Sequence, residues 1–180
     1  MTLGGAQMPS LVRHPETPPG AIQSIDARLE RCPGGAVATF IVTGDIQHLV
    51  LPPPANPERV DELWRTTCFE LFVGGDGVAY REYNLAPSNA WAAYDFDGYR
   101  DGMRPADADI LIRTDSEPGR FVLLADIRAD FPSFAPTGLT AVIEESDGAI
   151  RYWATSFEPG KPDFHAPGVR SLLLGEVEAE

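Results

Sequence analysis

The chain has 180 residues, of which 43% are apolar and 9% aromatic. This is enough apolar material for one domain with a packed core, and it excludes a chain that is disordered over most of its length. The 14 basic and 27 acidic residues give a net charge of −13. A surface this acidic would repel nucleic acid and anionic membranes, so we expect neither as a partner.

The two ends of the chain differ in composition from the middle. Residues 1–20 are rich in Gly and Pro without periodicity, which predicts an N-terminal arm that lies over the domain or is disordered. We assign residues 21–175 to the domain and residues 176–180 to a solvated acidic tail. Since no signal peptide or membrane-length apolar run is evident, we expect a cytoplasmic protein, and the composition suggests a bacterial one.

The first two predicted strands follow the arm. Ile25, Ala27 and Leu29 alternate with polar residues, which indicates a strand with one buried face. Residues 36–43 are apolar in both phases and are bounded by glycines, which predicts a strand buried on both faces and paired with the first.

Further strand-length apolar segments continue to the C-terminal end. Turn signals separate them, including the hairpin signal Asp147-Gly148. The best helical segment, residues 57–64, spans only about two turns. This spacing predicts an all-β, antiparallel β-sandwich of about ten strands. The segments are residues 48–51, 68–73, 79–85, 90–96, 110–114, 121–127, 139–144, 150–155 and 169–174.

Several motifs that carry chemistry are missing. The sequence has no GxSxG and no phosphate-binding glycine loop. Asp95, Asp97 and Gly98 resemble the start of a calcium loop, but Ala106 stands where its bidentate Glu is needed, which favours a solvated acidic loop. The three histidines are dispersed, and Cys32 and Cys68 have neither zinc nor disulfide spacing. We therefore expect no metal and two plain thiols.

Glu70 lies in a predicted strand between residues that should be buried. It shares a strand phase with Cys68 and Phe72, so its carboxyl needs a hydrogen-bonded or charged partner. An ion pair with an arginine is the favoured interpretation, and contact with a ligand is the alternative.

Aromatic residues are densest between residues 64 and 104, where they alternate with Glu82, Asn84 and Asp95. Flat rings beside fixed hydrogen-bonding groups suit the C–H face and hydroxyl rim of a sugar. The alternative is that these rings fill the core, although Trp64 precedes its strand and is a candidate for a rim position.

Four motifs of this sequence, in this order, resemble bacterial DOMON-like domains, in the subgroup related to family 9 carbohydrate-binding modules. They are residues 64–72 (WRTTCFELF), 80–88 (YREYNLAPS) followed by Trp91 and Tyr94, 99–103 (YRDGM) and 161–165 (KPDFH). The resemblance implies a jelly-roll-like β-sandwich. By comparison with sugar-binding relatives it implies that Trp64 and Trp91 stack on a ligand. By comparison with haem-binding relatives it implies Met103 and His165 as axial ligands. Against a haem, the acidic chain offers few basic partners for the propionates apart from Arg81, Arg100 and Arg104.

Our leading hypothesis is a non-catalytic module that binds a carbohydrate or similar small polar ligand without a cofactor. The alternatives are a haem domain, an enzyme that pairs Glu70 with Glu82 or Asp163, and an interaction domain that forms a homodimer through a sheet edge. Residues 163–165 form either a simple turn or part of the pocket. The candidate ligand-binding residues are Trp64, Glu70, Glu82, Asn84, Trp91, Tyr94, Arg100 and His165.

Overall fold

A computed structural model describes residues 8–175, so the predicted acidic tail lies outside the described residues. The strands of this part form two antiparallel sheets, which confirms the predicted all-β sandwich. In chain order they are β1 Val12–Arg13, β2 Ile22–Cys32, β3 Gly35–Gly44, β4 Cys68–Gly74, β5 Tyr80–Leu85, β6 Trp91–Phe96, β7 Arg104–Pro105, β8 Asp109–Glu117, β9 Arg120–Arg128, β10 Ala135–Glu144, β11 Ile150–Ala154 and β12 Leu172–Leu174.

The larger sheet has eight strands in the order β1-β11-β10-β4-β5-β6-β7, with β12 also paired to β10. The smaller sheet has the order β2-β3-β9-β8. The Asp147-Gly148 turn joins β10 to β11 as predicted, with Gly148 in the left-handed region at a φ of 84°. Cys32 and Cys68 are both unpaired thiols.

The core lies between the sheets because each sheet turns one apolar face inward. Phe69 of β4 is central, with its ring centroid 5.0 Å from that of Phe40 in β3 and 6.2 Å from that of Phe121 in β9. Trp91 packs into the same core, where the Arg59 guanidinium lies 4.7 Å from its ring centroid. Full burial of each such side chain contributes about 1.5–3 kcal/mol to stability.

The strand buried on both faces is β4, not β3 as the sequence predicted. In β3, Val37 and Ile41 are half-buried because the outer face of the small sheet meets solvent. Every residue of β4 is buried, since one face packs on the core and the other lies under a long loop. The predicted alternation of β2 is confirmed by the full burial of Ile25 and Ala27.

Two predicted elements are wrong because tertiary hydrogen bonds determine the local backbone. Residues 48–51 do not form a strand but follow a short 3-10 turn, Ile46–His48, and make one isolated bridge. Residues 57–64 are not an α-helix. There the Arg59 guanidinium donates to the carbonyls of Ala93 and Ala106 at 2.8 and 2.5 Å, which holds the segment extended along β6.

The part of the N-terminal arm that the structure describes lies over the domain. β1 pairs with β11, and the Leu11 amide donates to the Ile25 carbonyl at 2.8 Å. The end of the arm lies against a buried ion pair, in which Arg151 Nη1 is 3.0 Å from Glu145 Oε2. Arg151 also donates to the carbonyls of Pro18 and Pro19, at 2.7 and 3.3 Å.

The outer face of the large sheet is covered by residues 155–171, which we call the covering segment. Its apolar side chains, with those of the sheet, form a second buried cluster. The covering segment approaches β10 closely at Gly138, where a Cβ atom would come within 2.8 Å of the Val169 carbonyl oxygen. Among residues 8–175, no helix is long and apolar enough to cross a membrane.

Candidate ligand-binding cavity

A cavity of about 420 Å³ lies on the outer face of the large sheet, beside the covering segment. Its floor comes from neighbouring strands and its rim from three loops, so it depends on residues far apart in the chain. It is lined by Trp64, Glu70, Glu82, Phe96, Arg100, Met103, Val142, Tyr152, Pro162, Phe164 and His165.

Glu70 stands on the floor of the cavity and is only 2% exposed. It lies in β4 directly opposite Thr140 of β10, whose hydroxyl donates to its Oε2 at 3.3 Å. No ion pair joins Glu70 to an arginine among residues 8–175, so the predicted ion pair is wrong. Burial, and then the neighbouring Glu82, raise the pKa of Glu70 well above its usual value.

Glu82 stands beside Glu70 on the same face of the next strand and is 4% exposed. Burial raises its pKa from 4.5 to about 7, although Asn84 and Arg100 act in the opposite direction. Asn84 follows on the same face of β5 and is fully buried, and neither polar atom of its amide has a hydrogen-bond partner within the described chain. Asn84 does not line the cavity, so this unsatisfied amide lies below the floor.

His165 forms the wall above Glu82. Its Nδ1 lies 2.7 Å from the Tyr80 hydroxyl, and its Nε2 lies 3.7 Å from Glu82 Oε2. Burial, and then the positive charge of Arg100, lower the pKa of His165 from 6.5 to about 4. The ring is therefore neutral at pH 7, and it contacts Glu82 as a neutral group.

Arg100 reaches the rim from the loop between β6 and β7. Its guanidinium donates to Asp163 Oδ1 at 2.8 Å, and the Tyr99 hydroxyl donates to the same carboxylate. The same Oδ1 accepts the His165 amide at 3.0 Å, so residues 163–165 form a turn and also contribute to the cavity. The Asp163 carboxylate thus holds the loop and the covering segment together.

Trp64 forms the opposite part of the rim, in the 3-10 turn Leu63–Arg65. Its side chain is 37% exposed, and its ring centroid lies 6.5 Å from that of Tyr94 in an edge-to-face arrangement. Tyr94 is itself buried and donates to Asp61 at 2.5 Å. A partly exposed ring with a fixed aromatic neighbour is a suitable platform for a ligand.

Five of the eight predicted binding residues line the cavity, namely Trp64, Glu70, Glu82, Arg100 and His165. Asn84 lies beside Glu82 below the floor, and Tyr94 lies behind Trp64. Trp91 is on the other face of β6 and belongs to the core between the sheets. The expectation that Trp64 and Trp91 share one site is therefore wrong, because Trp91 lies in the strand phase of β6 opposite to that of Tyr94, which is the residue behind Trp64.

Several wall residues of the cavity were not among the predicted binding residues. Phe96 could have been found, because it lies in the same phase of β6 as Tyr94. Tyr152 and Val142 are directly opposite each other on β11 and β10, and only the strand pairing brings them to the cavity. Pro162 belongs to the covering segment, whose return across the sheet has no periodic signal.

The residues at this site do not fit a haem. Met103 and His165 both line the cavity, but both ring nitrogens of His165 face protein groups, Tyr80 and Glu82. Of the arginines expected near the propionates, Arg81, Arg100 and Arg104 pair with Asp95, Asp163 and Asp97, at 2.7, 2.8 and 2.9 Å. None is left unpaired for a propionate.

The predicted acidic loop does not assemble a calcium site either. Asp95 and Asp97 each face an arginine. Within the described part of the chain, no three His, Cys, Asp or Glu side chains are grouped as metal ligands would be.

Comparison with known proteins gives a structural relative but no family. No protein-family model matches the sequence, and no curated protein matches it significantly. A solved structure from Bacteroides uniformis, provisionally described as a carbohydrate-binding protein, is similar in fold, with a TM-score of 0.51 and 10% sequence identity. The match covers 81% of this chain and 74% of that chain. At this identity the likeness shows the fold alone, and the DOMON relationship remains a resemblance.

Proposed function

We propose that this protein is a non-catalytic module that binds a carbohydrate or a similar small polar ligand in the cavity. The observation that carries the proposal is a partly exposed Trp64 ring at the rim above two buried carboxyls, Glu70 and Glu82, on the floor. A sugar offers an apolar C–H face to a ring and hydroxyl groups to carboxyls. A cavity of about 420 Å³ also has the size of a site for a small molecule.

Hydrogen-bonding capacity supports the same proposal. One oxygen of Glu70 accepts from Thr140, and the other has no donor among residues 8–175. Arg100 and His165 are held in place by Asp163 and Tyr80, so their orientation is set before a ligand arrives. Such preorganisation lowers the entropic cost of binding. The fold shared with a protein provisionally described as carbohydrate-binding is consistent with this proposal.

Calorimetric titration with a panel of mono- and disaccharides tests the proposal. We expect saturable binding of at least one sugar by the native protein, and a loss of at least tenfold in affinity for Trp64→Ala. Phe134→Ala is the matched control, because it removes an exposed aromatic ring that does not line the cavity. Absence of binding across the panel, or equal affinity of native protein and Trp64→Ala, would contradict the proposal.

A second candidate function is hydrolysis of a glycosidic bond, which the Glu70 and Glu82 pair favours. Two carboxyls in one cavity, one with a pKa of about 7, can serve as acid and base. Prolonged incubation with oligosaccharides and measurement of new reducing ends distinguishes the two functions. Product that Glu82→Gln abolishes would indicate an enzyme, and intact substrate would indicate a binding module.

A further inference from the structure

The floor of the cavity carries two acidic groups without a basic partner. Glu70 and Glu82 are 2% and 4% exposed, and no Lys or Arg side chain lies within 4 Å of either in the described part of the chain. Burial of a carboxylate without a compensating cation is costly. The arrangement is thus complete only when a cation joins it or protons neutralise it.

The basic groups nearby do not pair with the floor. Arg100 pairs with Asp163 at 2.8 Å, and His165 is neutral at pH 7. Arg170 has no ion pair in the described part of the chain, but its guanidinium lies on the Tyr80 ring, 4.7 Å from the ring centroid, and Arg170 does not line the cavity. The two carboxyls of the floor therefore have no basic side chain paired with them.

The walls around the two carboxyls are largely aromatic. Trp64, Phe96, Tyr152 and Phe164 line the same cavity as Glu70 and Glu82. Aromatic faces attract cations through their quadrupole, and sites that recognise ammonium groups use such rings together with acidic residues. A neutral sugar would use the rings for stacking but would leave the two carboxyls to be neutralised by protons alone.

Building on the proposed function, we propose that the ligand carries a protonated amine on a small polar scaffold, as an amino sugar does. The ammonium would lie between Glu70 and Glu82, and the sugar ring would face Trp64. The unpaired oxygen of Glu70 and the carboxyl of Glu82 supply acceptors for its N–H groups, and the aromatic walls exclude water.

The proposal predicts how affinity depends on pH. In the free protein the pKa of Glu82 is about 7, so this carboxyl is partly protonated at neutral pH. An ammonium favours the ionised form, so binding releases protons and strengthens as the pH rises from 5.5 to 7, a range in which the amine of the ligand stays largely protonated. Asp163, Arg100 and Arg170 keep their charges over this range, and His165 stays neutral, so Glu82 and Glu70 dominate the change.

Calorimetry with glucosamine, glucose and N-acetylglucosamine tests the inference. At pH 7.0, where the amine of glucosamine is largely protonated, we expect native protein to bind glucosamine at least tenfold more tightly than either neutral sugar. We expect Glu82→Gln to bring the three affinities to within about threefold of one another. Circular dichroism of Glu82→Gln verifies its fold. The pH series on native protein tests the same inference without a variant. Glu70→Gln provides a second variant for the comparison of the three sugars.

The outcomes separate the inference from the proposed function. Equal binding of glucose and glucosamine, or glucosamine affinity that does not rise with pH, would overturn the amine inference and leave the sugar-binding module intact. Absence of binding by all sugars would overturn both. Preference for glucosamine that persists in both Gln variants would also contradict the inference, because the carboxyls would then not recognise the amine.

Discussion

Glu70 and Glu82 are diagonal neighbours on the outer face of β4 and β5, because Glu70 pairs with Asn84 and Glu82 pairs with Phe72. Each is almost fully buried, and the charge of Glu82 raises the pKa of Glu70 further. Two neighbouring buried carboxyls in the middle of a sheet lower stability when both ionise, so each favours its protonated form in the folded protein.

Replacement of Glu82 by Gln should change how stability depends on pH. The pKa of Glu82 rises from 4.5 unfolded to about 7 folded, so the folded state holds the proton more tightly. The contribution of Glu82 is therefore fully present below pH 4.5 and is lost as the pH rises through 7. By this linkage, the free energy of unfolding of Glu82→Gln, relative to that of native protein, should rise by about 3 kcal/mol between pH 4.5 and 8.

Urea unfolding of both proteins across this range measures that gain. Both proteins must be measured because His165 also changes how stability depends on pH. Its pKa is lowered from 6.5 to about 4, so its contribution to stability rises with pH and would hide the fall due to Glu82 if only native protein were measured. A constant difference in the free energy of unfolding between the two proteins would contradict this prediction.

His165 should remain neutral well below the usual pH. Its pKa of about 4 follows from burial and from Arg100, and the Tyr80 hydroxyl occupies its Nδ1. A pH titration followed by NMR of the imidazole nitrogens should show this ring changing charge below pH 5. Titration near 6.5 would mean that the ring is open to solvent, in conflict with the described wall.

Removal of the side chain should destabilise the protein much more at Trp91 than at Trp64. Trp91 is 7% exposed within the core and carries the Arg59 guanidinium on its ring, so Trp91→Ala should cost about 3–5 kcal/mol of stability. Trp64 is 37% exposed, so Trp64→Ala should cost about 1 kcal/mol or less. Urea unfolding of the two variants checks both values, and equal costs would show that the two positions have been misassigned.

The Arg151 and Glu145 pair should stabilise the arm through compensation of buried charge. Arg151→Ala leaves Glu145 buried without its 3.0 Å partner and should cost about 3–5 kcal/mol. The double variant Arg151→Met with Glu145→Gln should recover a large part of that loss, because no buried charge is then left unpaired and Asp147, the other carboxylate that pairs with Arg151, is exposed to solvent. Thermal unfolding tests this, and a double variant no more stable than Arg151→Ala would argue against it.

The strands were predictable from sequence where a single local signal dominated. Ile25 and Ala27 alternate with polar residues, and Asp147-Gly148 marks a hairpin, so the structure agrees with both. The same local reasoning failed for residues 57–64. There, hydrogen bonds from Arg59 to carbonyls on other strands determine the backbone, and no short sequence pattern reports them.

The candidate site was predictable only in part. Trp64, Glu70 and Glu82 were identified by residue type and strand phase, and they do meet in one cavity. The pairing of β10 with β11 that brings Tyr152 to the wall depends on register over long distances. The ion pair predicted for Glu70 failed because the arginine nearest the cavity, Arg100, is held by Asp163.

The most direct test of a ligand site in this cavity uses the three indole N–H signals of the protein in a ¹H–¹⁵N NMR spectrum. Trp64 is at the rim, whereas Trp91 and Trp153 are buried in the core between the sheets. On titration with a sugar that binds, the indole signal of Trp64 should shift progressively while those of Trp91 and Trp153 stay in place. A stationary Trp64 signal during saturable binding would contradict the assignment of the site.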